Sequence, residues 1–335
     1  MKGYVIDEGR LRVAELDDIG EPGQGEVLVK VRSVSLNYRD LMVARGLYGR
    51  PFNGVFVAGS DMAGEILKVG PGVISFRRGD RVVNAPFRHW PAGKITLDRM
   101  KTLVGAAGVD GVFSENVIYP ADALVSMPSH FSYHEGATLP VAGLTAWAAL
   151  ISHANVRAGE WVLLHGTGGV SVFAAQLANI MGARTLLTTS SEEKGAQMKG
   201  KYDVLQTFDY RDGEWPKQVR SFTGGEGVDV VVDVAGGQTL TRSLKACAFH
   251  ARVSLVGILD GFETPLNPFD IIGRQIQING IYTSSTENLR ALVKCVEVSR
   301  LRPCIDHIFP FEEMPAAYDY LESQRHIGKI VCSIS

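Results

Sequence analysis

The chain has 335 residues, with 34 Lys and Arg against 36 Asp and Glu and a formal net charge of −2. That balance gives no electrostatic reason to expect nucleic acid or an anionic membrane as a partner, and no apolar run approaches the roughly 18 residues of a helical membrane span. With 45% hydrophobic and 21% charged residues, the composition is that of a soluble globular protein long enough for two domains. The start, Met1-Lys-Gly-Tyr4, lacks the apolar core of a signal peptide, and the final Ser-Ile-Ser335 is no evident address, so a cytoplasmic location is expected. Cys247, Cys295, Cys304 and Cys332 include no closely spaced pair. Ordinary buried thiols are therefore expected, not a disulfide framework or a zinc cluster.

In chain order, the first part reads as β-rich. Segments 26–34 and 64–70 are strand-like and lie among turns such as Gly70-Pro-Gly72 and Arg78-Gly-Asp80. Asn37-Tyr-Arg-Asp40 has the form of a helix start, with Asn37 as cap and Tyr38 in packing. Residues 88–109 break the rhythm, either as a loop or short helical excursion beside a site or as a surface insertion. From about Ser132 strands and helices alternate. Segments 133–140 and 144–150 look helical, and strands are expected at 161–165, 184–188, 204–207, 228–233, 252–256 and 276–282. Such alternation predicts an α/β fold with a doubly wound parallel sheet. The last candidate strand alternates like a sheet edge, which invites pairing with a second copy. Residues 310–322 read as a helix. Residues 326–332 read as a strand expected to rejoin the N-terminal β domain, leaving the nucleotide domain inserted. The expected division is 1–124 for the first part of the β domain, 125–270 for the nucleotide domain, and 271–335 for the edge strand and the return.

Chemistry concentrates in Trp161-Val-Leu-Leu-His-Gly166-Thr-Gly168-Gly169-Val170-Ser171, where an apolar strand runs into a glycine turn and then into an amphipathic helix. Glycines let the backbone approach a pyrophosphate, and the helix start offers free N–H groups and a positive dipole end. Ser171 stands where the third glycine of the dinucleotide fingerprint would be. It is small enough for close helix–strand packing. The next strand ends in Thr188-Thr-Ser190-Ser191-Glu-Glu-Lys194, with hydroxyls where an acidic residue would read the 2′-hydroxyl of NAD. Ser190 and Ser191 can hydrogen-bond a 2′-phosphate and Lys194 can supply charge, so NADP(H) is favoured. Against this, Ser191-Glu-Glu also reads as a helix cap with acids in the first turn, and Glu192 or Glu193 could reach a ribose. The ends at Val234-Ala235-Gly-Gly237 and Val256-Gly257-Ile258 are small, which suits a dinucleotide lying across the sheet edge and equally suits ordinary buried strands.

Taken together, Leu36-Asn-Tyr-Arg-Asp40, Ala58-Gly-Ser-Asp-Met-Ala-Gly-Glu65, Val69-Gly-Pro-Gly-Val73, Phe76-Arg-Arg-Gly-Asp-Arg-Val82, Leu139-Pro-Val-Ala-Gly-Leu-Thr-Ala-Trp147, the glycine run and His326-Ile-Gly-Lys-Ile-Val331 form an ordered series. The series resembles the zinc-independent, quinone-oxidoreductase-like branch of the medium-chain dehydrogenase/reductases. The resemblance implies a GroES-like β domain built from both chain ends, with a Rossmann domain between them. It also implies a nicotinamide cofactor and a small-molecule substrate. Zinc-dependent members carry a Cys at the start of the first motif and Gly-His-Glu in the second. Here those places hold Asn37 and Gly59-Ser60-Asp61, so no catalytic metal is expected. Without a Lewis acid, hydride transfer is easiest to a quinone or to the β-carbon of an enone or enal. The resemblance further implies that Asn37 contacts the nicotinamide ribose or the substrate oxygen, and that Tyr38 donates to the developing oxyanion or delivers a proton, with solvent as the other source of that proton. Thr145 would face the nicotinamide, Tyr210 would lie near the adenosine phosphate, and Lys329 near the cofactor phosphates or ribose. Val256, Gly257, Ile258 and Tyr282 would complete the cofactor set. In related proteins the edge strand pairs across a two-fold axis, so a homodimer is expected. Two other readings stay open: an enoyl-thioester reductase acting on acyl-CoA, and a cofactor-binding sensor or structural protein without turnover.

Overall fold

The computed structural model describes residues 1–48, 54–106 and 108–335. The chain divides into two compact units, Met1–Leu144 with Ser284–Ser335, and Thr145–Thr283.

The first unit begins with β1 (Lys2–Asp7), β2 (Arg10–Glu15) and β3 (Glu26–Ser35), the short helix α1 (Tyr38–Ala44), β4 (Phe56–Val57), β5 (Asp61–Val69) and β6 (Arg81–Asn84). Helix α2 (Leu97–Met100), β7 (Asn116–Pro120), β8 (Leu124–Ser126) and α3 (Tyr133–Ala137) follow. Strand β3 is the spine of its sheet. Val27, Val29 and Val31 are fully buried at alternate positions while Lys30 and Arg32 are half-buried, the period of a strand with one covered face. It pairs antiparallel with β5 and β7.

The segment 88–109 contains α2 and is tied into this unit. Arg39 on α1 donates to the carbonyls of Val104 and Gly105, and Arg88 donates to that of Ile118. The first boundary falls at 144, beyond the expected 124, because α3 packs on β3 and β5. Ser35 Oγ donates to the Ala137 carbonyl at 2.9 Å. A helix bonded to the β sheet belongs to the β unit, whatever its place in the chain.

Helical turns wider than the α-helix, with α4 (Leu144–Trp147) between them, extend from Leu139 to His153. Then come β9 (Trp161–His165), α5 (Gly169–Ile180), β10 (Arg184–Thr188), α6 (Glu192–Tyr202), β11 (Val204–Phe208), α7 (Trp215–Phe222), β12 (Val228–Asp233), α8 (Gly237–Ala246), β13 (Cys247–Leu255), α9 (Pro268–Ile272) and β14 (Gln277–Gly280). The six strands form one parallel sheet in the order β11-β10-β9-β12-β13-β14. This is the doubly wound dinucleotide-binding order, first wound outward from β9 to β11 and then restarted on the other side with β12. Val162, Leu163, Leu164, Val230, Val231 and Val232 are fully buried, the near-continuous apolar run expected of strands covered on both faces. Trp215, Val219, Leu240 and Leu244 from α7 and α8 close one of those faces.

The chain returns through α10 (Thr286–Ser299), β15 (Ile305–Pro310), α11 (Met314–Glu322) and β16 (Lys329–Ser333). Strand β16 pairs antiparallel with β3 and parallel with β15, so the C-terminal strand completes the first unit's sheet. The protein thus joins a GroES-like β domain made from both chain ends to an inserted Rossmann domain.

Candidate cofactor site and active site

In the second unit the sequence-predicted residues gather at the carboxyl ends of the parallel strands, where doubly wound sheets bind ligands. Strand β9 passes through Gly166 (φ 68°), a conformation that favours glycine, into α5, with Gly168 as its cap residue. A Cβ on Gly168 would meet nothing within 4 Å, and its φ of −74° suits any residue. The fold itself therefore makes no demand for glycine there. The open space beside Gly168, at a helix start that continues through Gly169 and Val170, is where a phosphate would be cradled. Ser171, at the third-glycine place, donates its buried hydroxyl to the His165 carbonyl at 2.6 Å, bonding the helix to the end of the strand it follows.

At the end of β10, Ser191 caps α6, its hydroxyl accepting the Lys194 N–H at 3.2 Å. Ser190 is half-buried beside it, and Glu192 and Glu193 are exposed. Arg211, at the end of β11, donates to the Ser190 carbonyl at 3.0 Å while its guanidinium also pairs with Asp209 at 2.6 Å. Arg242 donates to the carbonyl of the exposed Tyr210. Sequence reasoning passed over Arg211 although it follows Tyr210 directly. Its place became evident only when β10 and β11 paired.

The ends of β12 and β13 press against each other. A Cβ on Gly257 would lie 2.2 Å from the Val234 carbonyl oxygen, and one on Gly237 2.2 Å from that of Asp260. Asp233 Oδ1 accepts the N–H groups of Ala235 and Gly236 at 2.9 and 2.8 Å, and its carbonyl accepts that of Val256 at 2.7 Å. Ala235, Val256, Gly257 and Ile258 thus form two tightly joined loops at the sheet edge. Thr145 is buried, and Tyr282, just past β14, is partly exposed.

In the first unit Asn37, Asp40, Ser60, Asp61 and Lys329 form one buried polar cluster. The Lys329 ammonium donates to the Leu36 carbonyl and to Asn37 Oδ1, both at 2.6 Å, and lies 3.6 Å from Asp61 Oδ2. Asn37 Nδ2 donates to Asp61 Oδ2 at 2.9 Å and to Ser60 Oγ at 3.3 Å. Ser35 Oγ lies 2.9 Å from the same Asp61 oxygen, and its one proton is shared between that oxygen and the Ala137 carbonyl. Asp40 accepts the Asn37 N–H at 2.8 Å and so fixes the start of α1.

Asn37 and Lys329 hold one another within this cluster. Both ends of the Asn37 amide and the Lys329 ammonium are engaged inside the first unit. Tyr38, 39% exposed, is the residue of this group that faces solvent. Asp61 Oδ1 and the Tyr318 hydroxyl are buried and have no hydrogen-bond partner among the described residues.

Burial pushes the Asp40 carboxyl up to about 6, with neighbouring Asp61 adding to the shift and Arg39 opposing it. The folded state therefore holds this proton more tightly than the unfolded chain. Its contribution to stability is present below the usual value of 3.8 and is lost as pH rises through about 6. At roughly 1.4 kcal/mol per pKa unit, the wild type should lose about 2–3 kcal/mol relative to Asp40→Asn across that window. Urea unfolding of both proteins at the two ends of the window checks this.

Among the described residues no three His, Cys, Asp or Glu side chains come together in a group able to hold a metal ion. The positive charge beside Asn37 and Asp61 is that of the Lys329 ammonium.

Comparison with known proteins agrees with this architecture. Residues 23–129 match the alcohol dehydrogenase GroES-like domain and residues 169–297 the zinc-binding dehydrogenase family. A zinc-type alcohol dehydrogenase-like protein of Schizosaccharomyces pombe is 39% identical, over 92% of this chain and 91% of its own length. The acryloyl-coenzyme A reductase of Metallosphaera sedula is 32% identical over 99% of both chains, and the quinone oxidoreductase of Rattus norvegicus is 28% identical over 92% and 89%. Among solved structures, an NAD-dependent alcohol dehydrogenase superposes with a TM-score of 0.91 at 31% identity over 100% of both chains. A mycobacterial protein solved with NADPH superposes at 0.82 with 26% identity, also over 100% of both. The chain belongs to the medium-chain dehydrogenase/reductase family. It is an oxidoreductase of that family, similar to quinone oxidoreductases and to zinc-type alcohol dehydrogenase-like proteins.

Proposed function

We propose that the protein delivers hydride from NADPH, without a metal ion, to an electron-poor acceptor such as a quinone or the β-carbon of an enone or enal. The observation that carries this reading is the buried Asn37–Asp61–Lys329 cluster. Where zinc-dependent relatives place a thiolate and an imidazole, this chain has the Asn37 amide and the Ser60 hydroxyl, beside an Asp61 carboxylate that lies against the Lys329 ammonium. An ordinary alcohol needs a Lewis acid for its deprotonation, whereas an activated acceptor needs only positioning and stabilisation of the oxygen charge that develops. When bound, the reduced nicotinamide supplies the hydride.

The chain's own residues bind and orient. Gly168, Gly169, Val170 and the start of α5 receive the pyrophosphate. Ser190, Ser191, Lys194 and Arg211 receive the 2′-phosphate, with Tyr210 beside the adenosine, and the absence of a carboxylate at the end of β10 favours NADPH over NADH. Ala235, Val256, Gly257, Ile258, Thr145 and Tyr282 line the rest of the cofactor. Tyr38 donates its hydroxyl to the developing oxygen, on a helix start held in place by Asn37 and Lys329.

The similarity to an acryloyl-coenzyme A reductase over 99% of both chains supports a second reading, reduction of an enoyl thioester. Mixing the protein with NADPH or NADH and following cofactor absorbance with a quinone, an enone and crotonyl-CoA separates the readings. Oxidation of NADPH by the quinone or enone, faster than that of NADH, is the expected result. Crotonyl-CoA as the best acceptor would select the thioester reading, and tight NADPH binding without turnover on any acceptor would select a sensor or structural role. A strong preference for NADH would refute the role given to Ser190, Ser191 and Lys194.

We also propose a homodimer formed through β14. This strand ends the sheet order with one edge unpaired among the described residues, and Phe269 and Ile272 on the preceding α9 are exposed. Light scattering at micromolar concentration should give twice the chain mass of 36.3 kDa, and a single species at the chain mass would contradict it.

A further inference from the structure

Three neighbouring strands of the second unit finish on buried polar residues. These are His165 at the end of β9, Thr188 at the end of β10 and Asp233 at the end of β12. The sheet reverses its winding between β9 and β12, the point outside which a doubly wound sheet takes its ligand. The His165 ring bridges that point from within. Its Nδ1 lies 2.7 Å from Thr188 Oγ1 and its Nε2 2.8 Å from Ser243 Oγ on α8. Ser243 Oγ in turn lies 3.1 Å from Asp233 Oδ2 and 2.9 Å from the Thr239 carbonyl oxygen. The other Asp233 oxygen accepts the Ala235 and Gly236 N–H groups, the turn given above to the cofactor.

The direction of these bonds follows from counting protons. Burial holds the imidazole below its ordinary pKa, so the ring is neutral and has one N–H. Ser243 has one proton, and both Asp233 Oδ2 and the Thr239 carbonyl can only accept it. The short contact to His165 must then be made by a proton on Nε2, which leaves Nδ1 to accept from the Thr188 hydroxyl. The resulting chain runs one way, from Thr188 to His165 to Ser243, whose one proton is shared between the Asp233 carboxylate and the Thr239 carbonyl.

We propose that His165 is a positioning residue of the cofactor site, an Nε2–H imidazole whose hydrogen bonds to Thr188 and Ser243 lock the ends of β9, β10 and β12. Through Asp233 it holds the 235–236 turn in the shape that receives the dinucleotide. The proposal rests on the dinucleotide reading above. Losing a link leaves the strands paired but frees the turn, so the effect falls on cofactor affinity as well as on stability.

Two measurements on the full chain test it. In protein labelled with ¹⁵N-histidine, the His165 signals, identified by their loss in His165→Asn, should show the proton on Nε2 and a bare Nδ1. The opposite tautomer would overturn the chain's direction. Ser243→Ala should raise the NADPH dissociation constant about tenfold, measured by protein fluorescence quenching. Val219→Ala, which opens the core of the same unit without touching the chain, should lower the melting temperature and leave that constant within about twofold. If Ser243→Ala does not fold, Thr188→Val keeps the shape, removes the other partner and gives the same readout. Wild-type affinity in these chain variants, or an equal loss in Val219→Ala, would overturn the proposal. Wild-type protein that binds neither NADPH nor NADH would instead overturn the dinucleotide reading beneath it.

Discussion

Lys329→Ala is expected to destabilise the first unit by about 3–5 kcal/mol. The ammonium is 3% exposed and Asp61 is fully buried, so removing the cation strands a carboxylate that already has one oxygen without a partner. Asn37 loses the donor to its Oδ1 in the same step, and the Leu36 carbonyl before α1 loses its bond from β16 while the Leu36 N–H keeps its bond to the Ile330 carbonyl. Chemical unfolding should show a lower midpoint with little change in slope. The double variant Lys329→Met with Asp61→Asn should recover most of the loss, because a neutral pair of similar volume carries no stranded charge. A Lys329 that instead reached the cofactor phosphates would behave differently. Its removal would weaken cofactor binding and leave stability within about 1 kcal/mol.

Gly168→Ala should separate the demands of the ligand from those of the fold. No protein atom lies within 4 Å of the added Cβ and φ is −74°, so stability should change by no more than about 1 kcal/mol. The methyl group enters the space given to the pyrophosphate, and NADPH affinity should fall about 10- to 100-fold, roughly 1.4–2.8 kcal/mol. Gly257→Ala is the converse. Its Cβ would meet the Val234 carbonyl oxygen at 2.2 Å, and the fold itself should lose about 2–4 kcal/mol. Calorimetric titration and thermal unfolding of both variants distinguish the two kinds of glycine. Unchanged affinity in Gly168→Ala would remove the glycine turn from the cofactor site.

The parallel sheet was legible in the sequence because buried parallel strands are short apolar runs bounded by turns. β9, β10 and β12 lie where 161–165, 184–188 and 228–233 were expected. β13 begins earlier than expected, at Cys247, because its start contains a register irregularity and a positive φ at His250 that local pattern does not announce. β14 is shorter than 276–282 and stops before Thr283, which also has positive φ. β15 was missed, since Ile305-Asp-His-Ile-Phe has little alternation to mark it.

In the candidate site, sequence gave residue types but not partners. Asn37 and Lys329 are 292 positions apart, and nothing local to either shows that one bonds the other. The same holds for His165 and Ser243, and for Arg211 and Ser190. Ser171 could be read as small from its position in the fingerprint. Its bond to the His165 carbonyl could not.

The central claim is hydride transfer without a metal. The most direct test is the rate of NADPH oxidation by the best acceptor before and after exhaustive dialysis against a strong zinc chelator. The rate should be unchanged, because in the proposed reaction the acceptor needs no Lewis acid. A rate that disappears on chelation and returns with stoichiometric zinc would contradict the account.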